Sequence, residues 1–226
     1  MKLKGNIPGI GENLMSTRRL AVYLLIDTSG SMHGEPIEAV NIGLRTLISS
    51  LRQNSYARES IHICIVTFDS VVKEVLPLTP LSMLQLPEIT CPKSGGTFLG
   101  EGLEVIFNKV KSEFISSSAD NEGDWKPVLL VMSDGKASDT LAYEEAIPKI
   151  KSLPFSNIIA CAAGPKSVPD QLKELTPTVV SLDTMDSSTF STFFKWVGDA
   201  VASGSEQTQN SSSQLPSPPP QITVVF

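Results

Sequence analysis

Leu20-Ala-Val-Tyr-Leu-Leu-Ile26 is a near-continuous apolar run, the pattern of a strand covered on both faces. Pro36 then opens a segment with apolar residues at Ile37, Val40, Leu44, Leu47, Ile48 and Leu51, one face of a helix with proline in the first turn, where its missing N–H costs nothing. Ile61–Phe68 and Val71–Leu76 are separated only by Asp69-Ser70, a spacing that suits a tight hairpin and therefore one antiparallel edge strand. Gly100–Phe114 reads as a helix, Val128–Met132 as a buried strand, Ala142–Ile150 as a short helix, and Asn157–Ala163 and Thr178–Leu182 as further strands. Ser188 opens a last helix with Phe190, Phe193, Phe194, Val197, Ala200 and Val201 on one stripe, the pattern of core packing. This alternation predicts an α/β fold, a mostly parallel sheet with helices on both faces.

The two ends break the pattern. Met1–Met15 mixes Lys2, Lys4, Gly5, Pro8, Gly9 and Gly11, lacks the apolar stretch and cleavage site of a secretory signal, and reads as a loose leader. Gly204–Gln221 is rich in Ser, Gln and Pro, including Pro216-Ser-Pro-Pro-Pro220, and reads as a flexible to polyproline-like tail. It finishes in Ile222–Phe226, a strand-forming pentapeptide that either adds to a sheet edge, on this chain or another, or frays. The organisation expected is a leader over 1–18, one domain over 19–203 and a tail over 204–226 with a short apolar end.

Composition narrows the function classes. A chain of 226 residues, 41% hydrophobic and 19% charged, has enough apolar side chain for one packed core. Its apolar runs fall far short of the roughly 18 residues of a membrane span. The 18 Lys and Arg against 24 Asp and Glu leave a net charge of −6, which argues against nucleic acid as a partner, since that affinity comes mostly from neutralised phosphates. Cys64, Cys91 and Cys161 are odd in number and show no CxxC spacing, so a disulfide framework or zinc site is not expected and a reducing compartment fits.

In open parallel sheets, ligands bind beyond the carboxyl ends of the strands. There the sequence places Asp27-Thr28-Ser29-Gly30-Ser31, Gly95-Gly96-Thr97 and Ser133-Asp134-Gly135. The donors are oxygens only, suited to a hard divalent cation such as Mg2+ and poorly to zinc or copper. Asp27, Ser29 and Ser31 are two apart, so alternate side chains of an extended turn can point to one centre. Each part taken singly has a plainer reading: Asp27 as a turn acceptor, Ser29 or Ser31 as a helix cap, Asp134-Gly135 as a turn pair.

These three segments, with Leu99-Gly100, resemble the metal-ion-dependent adhesion site of the von Willebrand factor type A domain, over Arg19 to about Ser203. Within that family the chain is most similar to the bacterial TerY-type proteins of tellurite-resistance gene clusters, through Gly123-Asp-Trp-Lys-Pro127, Ala160-Cys-Ala-Ala-Gly164 and Phe193-Phe194-Lys195-Trp196. The resemblance implies a doubly wound six-stranded sheet with one antiparallel edge strand. It further implies that Ser29 and Ser31 bind Mg2+, with Mn2+ or Ca2+ as substitutes, through their hydroxyls. Thr97 binds directly or through water, and Asp27 and Asp134 act largely through water and hydrogen bonds. A metal so held stays electrophilic and takes an Asp or Glu of a protein partner. For TerY-type proteins it implies a cytoplasmic stress-response role alongside a kinase and a phosphatase of the same gene cluster.

Two other readings compete with this non-enzymatic one. Asp27 is placed as a nucleophile of a Mg2+-dependent phosphoryl-transfer enzyme would be, although Ser29 stands where such motifs carry a second Asp and Pro92-Lys-Ser-Gly-Gly-Thr97 does not fit a P-loop. A scaffold would instead bind through the Pro-rich tail or the stretch Ser112–Trp125, read as exposed, with Ser116–Ser118, Asp120, Glu122 and Asp124. His62 reads as structural within its strand, His33 as solvent-facing at a helix entrance, and no Ser/His/Asp triad assembles.

Overall fold

The computed structural model describes residues 18–164, 167–206, 215–220 and 222–225, with the side chains of 204–206 left aside. Its strands are β1 (Leu20–Asp27), β2 (Ile61–Phe68), β3 (Val72–Pro80), β4 (Trp125–Ser133), β5 (Asn157–Ala163), β6 (Val179–Leu182) and β7 (Thr223–Val225), in the spatial order β3-β2-β1-β4-β5-β6-β7. Between them run a single 3-10 turn (Gly30–Met32) and α1 (Glu35–Gln53), α2 (Ser55–Ser60), α3 (Leu99–Glu113), α4 (Thr140–Lys151), α5 (Pro169–Leu175) and α6 (Ser187–Glu206). β2, β1, β4, β5 and β6 are mutually parallel, as the alternation of strands and helices predicts.

Every residue of β1 is buried, because the strand is covered on both faces. Leu20, Val22, Leu24 and Ile26 pack with Leu44 and Leu47 of α1 and Phe190, Phe193 and Phe194 of α6. Ala21, Tyr23 and Leu25 face the opposite way, onto Leu103 and Ile106 of α3 and Tyr143 of α4. The period-two alternation of a strand thus sorts one sequence run into two cores.

The hairpin at Asp69-Ser70 forms as expected, and β3 continues beyond Leu76 to Pro80. An edge strand tolerates Pro77 and Pro80, and the register shifts on either side of Ile65, close to Pro77. The six strands implied by the resemblance are one too few. Thr223–Val225 pairs antiparallel with Val179–Ser181, so among the described residues the sheet has seven strands and both of its edges are antiparallel. Ile222 is buried at 5% exposure, Leu215 and Val224 pack against the α1/α6 core, and Trp196 Nε1 donates to the Pro216 carbonyl at 2.9 Å. Of the segment read as a flexible tail, 204–206 instead continue α6, while 207–214 and 221 lie outside the described residues, as do 1–17 of the leader.

Asp124 corrects another expectation. It belongs to the stretch read as exposed, yet it is 7% exposed and its carboxylate accepts from Arg19 Nε at 3.0 Å and from the Ile115 amide at 2.9 Å. Arg18 lies 3.8 Å over the Trp125 ring and donates to the carbonyls of Gly123 and Asp124. Gly123–Trp125 therefore ties the start of β4 to the start of β1, and a charge buried there stays tolerable because it is paired. Asp124→Ala leaves Arg19 without its carboxylate and is expected to lower stability by about 3 kcal/mol, read as an earlier urea midpoint at unchanged slope. An unchanged midpoint would mean that the pair contributes nothing.

Candidate metal centre

The chain leaves β1 through α1 toward β2 on one side, and leaves β4 through α4 toward β5 on the other. Loops that diverge from adjacent parallel strands open a crevice at the carboxyl edge, the place where such sheets bind ligands. Asp27 ends β1 and Ser133 ends β4, and the pairing of Ile26 with Met132 brings these two side by side.

Asp27 is fully buried. Its Oδ1 accepts the Ser29 amide at 2.7 Å and its Oδ2 accepts the Ser133 hydroxyl at 2.7 Å. Burial is the larger influence and lifts its pKa to about 6, the bonds from Ser29 and Ser133 pulling the other way. Above it, Ser29 Oγ lies 3.2 Å from Ser31 Oγ, and Ser31 Oγ donates to Asp134 Oδ1 at 2.9 Å. Asp27, Ser29, Ser31 and Asp134 thus form one hydrogen-bonded cluster, with Ser31 at its exposed rim.

Thr97 reaches the same place on the middle loop. Its Oγ1 lies 3.8 Å from where a Cβ on Gly135 would stand, next to Asp134. The middle loop is held against the first by the Gly30 amide bonding the Gly95 carbonyl, and a Cβ on Gly30 would meet Ser94 Cα at 3.0 Å, so glycine permits this approach. All five oxygen-bearing residues expected from the sequence therefore stand on three adjoining loops. Among the described residues, no group of three or more His, Cys, Asp and Glu side chains is placed to hold a metal ion, so a cation here depends on hydroxyls. The donor set fits one: Ser29, Ser31 and Thr97 offer neutral hydroxyls, of which Ser31 is exposed, and the Asp27 and Asp134 carboxylates come from the ends of two adjacent strands.

Several supporting residues went unassigned from sequence. Ser133 holds Asp27, and Asp69 accepts from Thr28 Oγ1 at 3.3 Å and from the Val71 amide at 2.9 Å while its carbonyl receives the Phe98 amide. The Cys91 thiol sits against the carbonyls of Thr28 and Ser29 at 3.1 and 3.0 Å. Burial, with the nearby Asp27, Asp69 and Asp134 carboxylates adding to it, pushes the Cys91 thiol up to about 11. Burial also raises Cys64 and Cys161, both wholly buried. A thiol-reactive chromophore at pH 7.5 is accordingly expected to label Cys91 alone in the folded chain, and more slowly than free cysteine. Labelling of all three at equal rates would contradict this packing. His33 is exposed just past the 3-10 turn, and His62 stands at the far end of β2 from these loops, its Nδ1 3.3 Å from the Ser60 carbonyl.

The family model described as von Willebrand factor type A domain matches residues 21–195. Among curated proteins none matches the chain. Among solved structures, proximal thread matrix protein 1 from the mussel byssus, in a form described as having a zinc-occupied MIDAS motif, is similar at 19% identity and a TM-score of 0.60, covering 80% of this chain and 48% of its own. A von Willebrand factor type A protein from Catenulispora acidiphila is similar at 13% identity and a TM-score of 0.63, covering 82% of this chain and 43% of its own. The conserved hypothetical protein BatB from Bacteroides thetaiotaomicron is similar at 14% identity and a TM-score of 0.53, over 80% and 98%. The chain spans about half the length of the mussel protein. No helix among the described residues is long and apolar enough to cross a membrane.

Proposed function

The chain belongs to the von Willebrand factor type A domain family, and from that membership we propose that it is a protein-interaction module whose centre is a divalent cation held by Asp27, Ser29, Ser31, Thr97 and Asp134. The observation that carries this reading is the continuous cluster from Asp27 through Ser29 and Ser31 to Asp134, built from two loops, with Thr97 beside it on a third. When bound, the ion supplies an electrophilic centre that an Asp or Glu of a protein partner can meet. Ser29, Ser31 and Thr97 present neutral oxygens to it. Asp27 and Ser133 brace the first loop from below, and Gly30 brings the middle loop close. Mg2+ suits these hydroxyls best, with Mn2+ and Ca2+ as substitutes. Zinc belongs in the same comparison because of the mussel protein.

The phosphoryl-transfer alternative is less well supported. Asp27 has no exposed surface and both of its oxygens accept hydrogen bonds, so neither is presented to an incoming phosphoryl group. We extend the proposal, on the resemblance to TerY-type proteins, to a bacterial cytoplasmic tellurite- and stress-response system with kinase or phosphatase partners. The residues carrying that finer resemblance are engaged in packing, Gly123 beside Arg18 and Phe193, Phe194 and Trp196 in the core.

Capture of partners from native lysate separates these readings. Proteins retained in Mg2+ and released both by EDTA and by Asp27→Ala support the module. Retention indifferent to chelator and substitution overturns it and returns the tail or the Ser112–Trp125 loop as the binding surface.

A further inference from the structure

We propose that Asp139 is a positioning residue that fixes Thr97, and this rests on reading Thr97 as part of the metal centre. Asp139 occupies the N-cap position of α4, yet its carboxylate makes no bond to that helix. Its Oδ1 instead accepts the Gly100 amide at 3.1 Å and its Oδ2 the Glu101 amide at 2.9 Å. These are first-turn amides of α3, which has no side-chain cap of its own: Phe98 precedes it, and the Gly102 amide is the one that bonds back to the Phe98 carbonyl. A carboxylate across two orphan donors at the positive end of a helix is a strong and directional contact.

A second pair of bonds lies directly upstream. The Thr97 amide donates to Ser138 Oγ at 3.1 Å, and the Ser138 amide donates to the Thr97 carbonyl at 2.8 Å. Four hydrogen bonds thus clamp Thr97–Glu101 to Ser138–Asp139, the same loop that carries Asp134. Gly100 makes the clamp possible, since a Cβ there would meet Tyr143 N at 2.3 Å and Ala142 C at 2.5 Å. With its amide and carbonyl both held, the main chain of Thr97 is fixed where its hydroxyl stands beside Gly135. Asp139 therefore acts on the cation through Thr97 and touches none of it.

The test is a double-mutant cycle read by Mn2+ affinity in the full chain, with amide hydrogen exchange as a readout that needs no metal. Asp139→Ala is expected to weaken Mn2+ about tenfold in the wild-type background, as loss of outer-shell support does. With Thr97→Ala already present it should weaken Mn2+ less than about twofold, because the two act as one unit. The amides of Gly100 and Glu101 should exchange faster, and Asp139→Asn, which keeps one acceptor oxygen, should fall between. Equal losses in both backgrounds, or unchanged exchange at Gly100 and Glu101, overturn the proposal. If wild type and Asp27→Asn bind Mn2+ alike, the metal reading itself falls, and amide exchange alone decides whether the clamp exists.

Discussion

Asp27→Asn is expected to make the metal-free protein more stable above pH 6 and to abolish the stabilisation that a divalent cation confers on wild type. Burial lifts the Asp27 pKa from 3.8 to about 6, so between those values the folded chain keeps a proton that the unfolded chain has released. The stabilisation from the protonated form is complete below the unfolded value and is lost as pH rises through the folded one, a difference of about 3 kcal/mol. Asn resembles the protonated acid: its oxygen can still accept the Ser29 amide, and the Ser133 hydroxyl can turn to accept from its NH2 and donate to the Gly135 carbonyl, 3.2 Å away. The melting temperatures of the metal-free proteins should therefore coincide below pH 4 and separate by pH 8, that of the variant being higher. Cation at a hundred times its dissociation constant should then stabilise wild type by about 2.7 kcal/mol and leave the variant unmoved. Equal stabilisation of both would remove Asp27 from the centre.

The second large effect is expected at Gly100. A methyl group there would stand 2.3 Å from Tyr143 N and 2.5 Å from Ala142 C, backbone atoms that cannot swing aside, so α3 and α4 must part. Alanine gains about 1 kcal/mol in helix propensity over glycine, but forced separation of packed helices outweighs it. Net destabilisation of about 3 kcal/mol is expected in urea unfolding. Gly102→Ala is the control: on the same helix its closest contact is Leu25 Cδ1 at 3.0 Å, the mobile end of a side chain. If both variants unfold at the wild-type midpoint, the close approach of the two helices is not real.

What could be read from the sequence was what short-range pattern encodes. β1 and the hairpin follow from apolar runs and a two-residue gap, and two of the three loop motifs are visible because the runs of β1 and β4 stop where Asp27–Ser31 and Ser133–Gly135 begin, whereas Gly95–Thr97 follows no strand directly and stands just before α3. α2 and α5 left no such trace. They are one to two turns long, too short for periodicity, and start from local signals only: the Asn54 side chain accepting the Ala57 amide, and Pro169 in a first turn. Ile222–Phe226 read equally as strand or frayed end because its partner, the edge of β6, exists only in the folded chain. Asp124 looked like a solvated charge since Arg19 is 105 residues away. Ser133, Ser138 and Asp139 were invisible as supports for the same reason: their roles depend on the β1/β4 register and on two helices meeting at Gly100.

The most direct measurement is a Mn2+ titration of the full chain, following free Mn2+ by electron paramagnetic resonance, in wild type, Ser29→Ala and Asp134→Ala. One ion per wild-type chain, with affinity weakened more than about tenfold in each variant, is the predicted result. Wild type that takes up no ion, or variants that titrate as wild type does, would contradict the assignment of a cation to these loops.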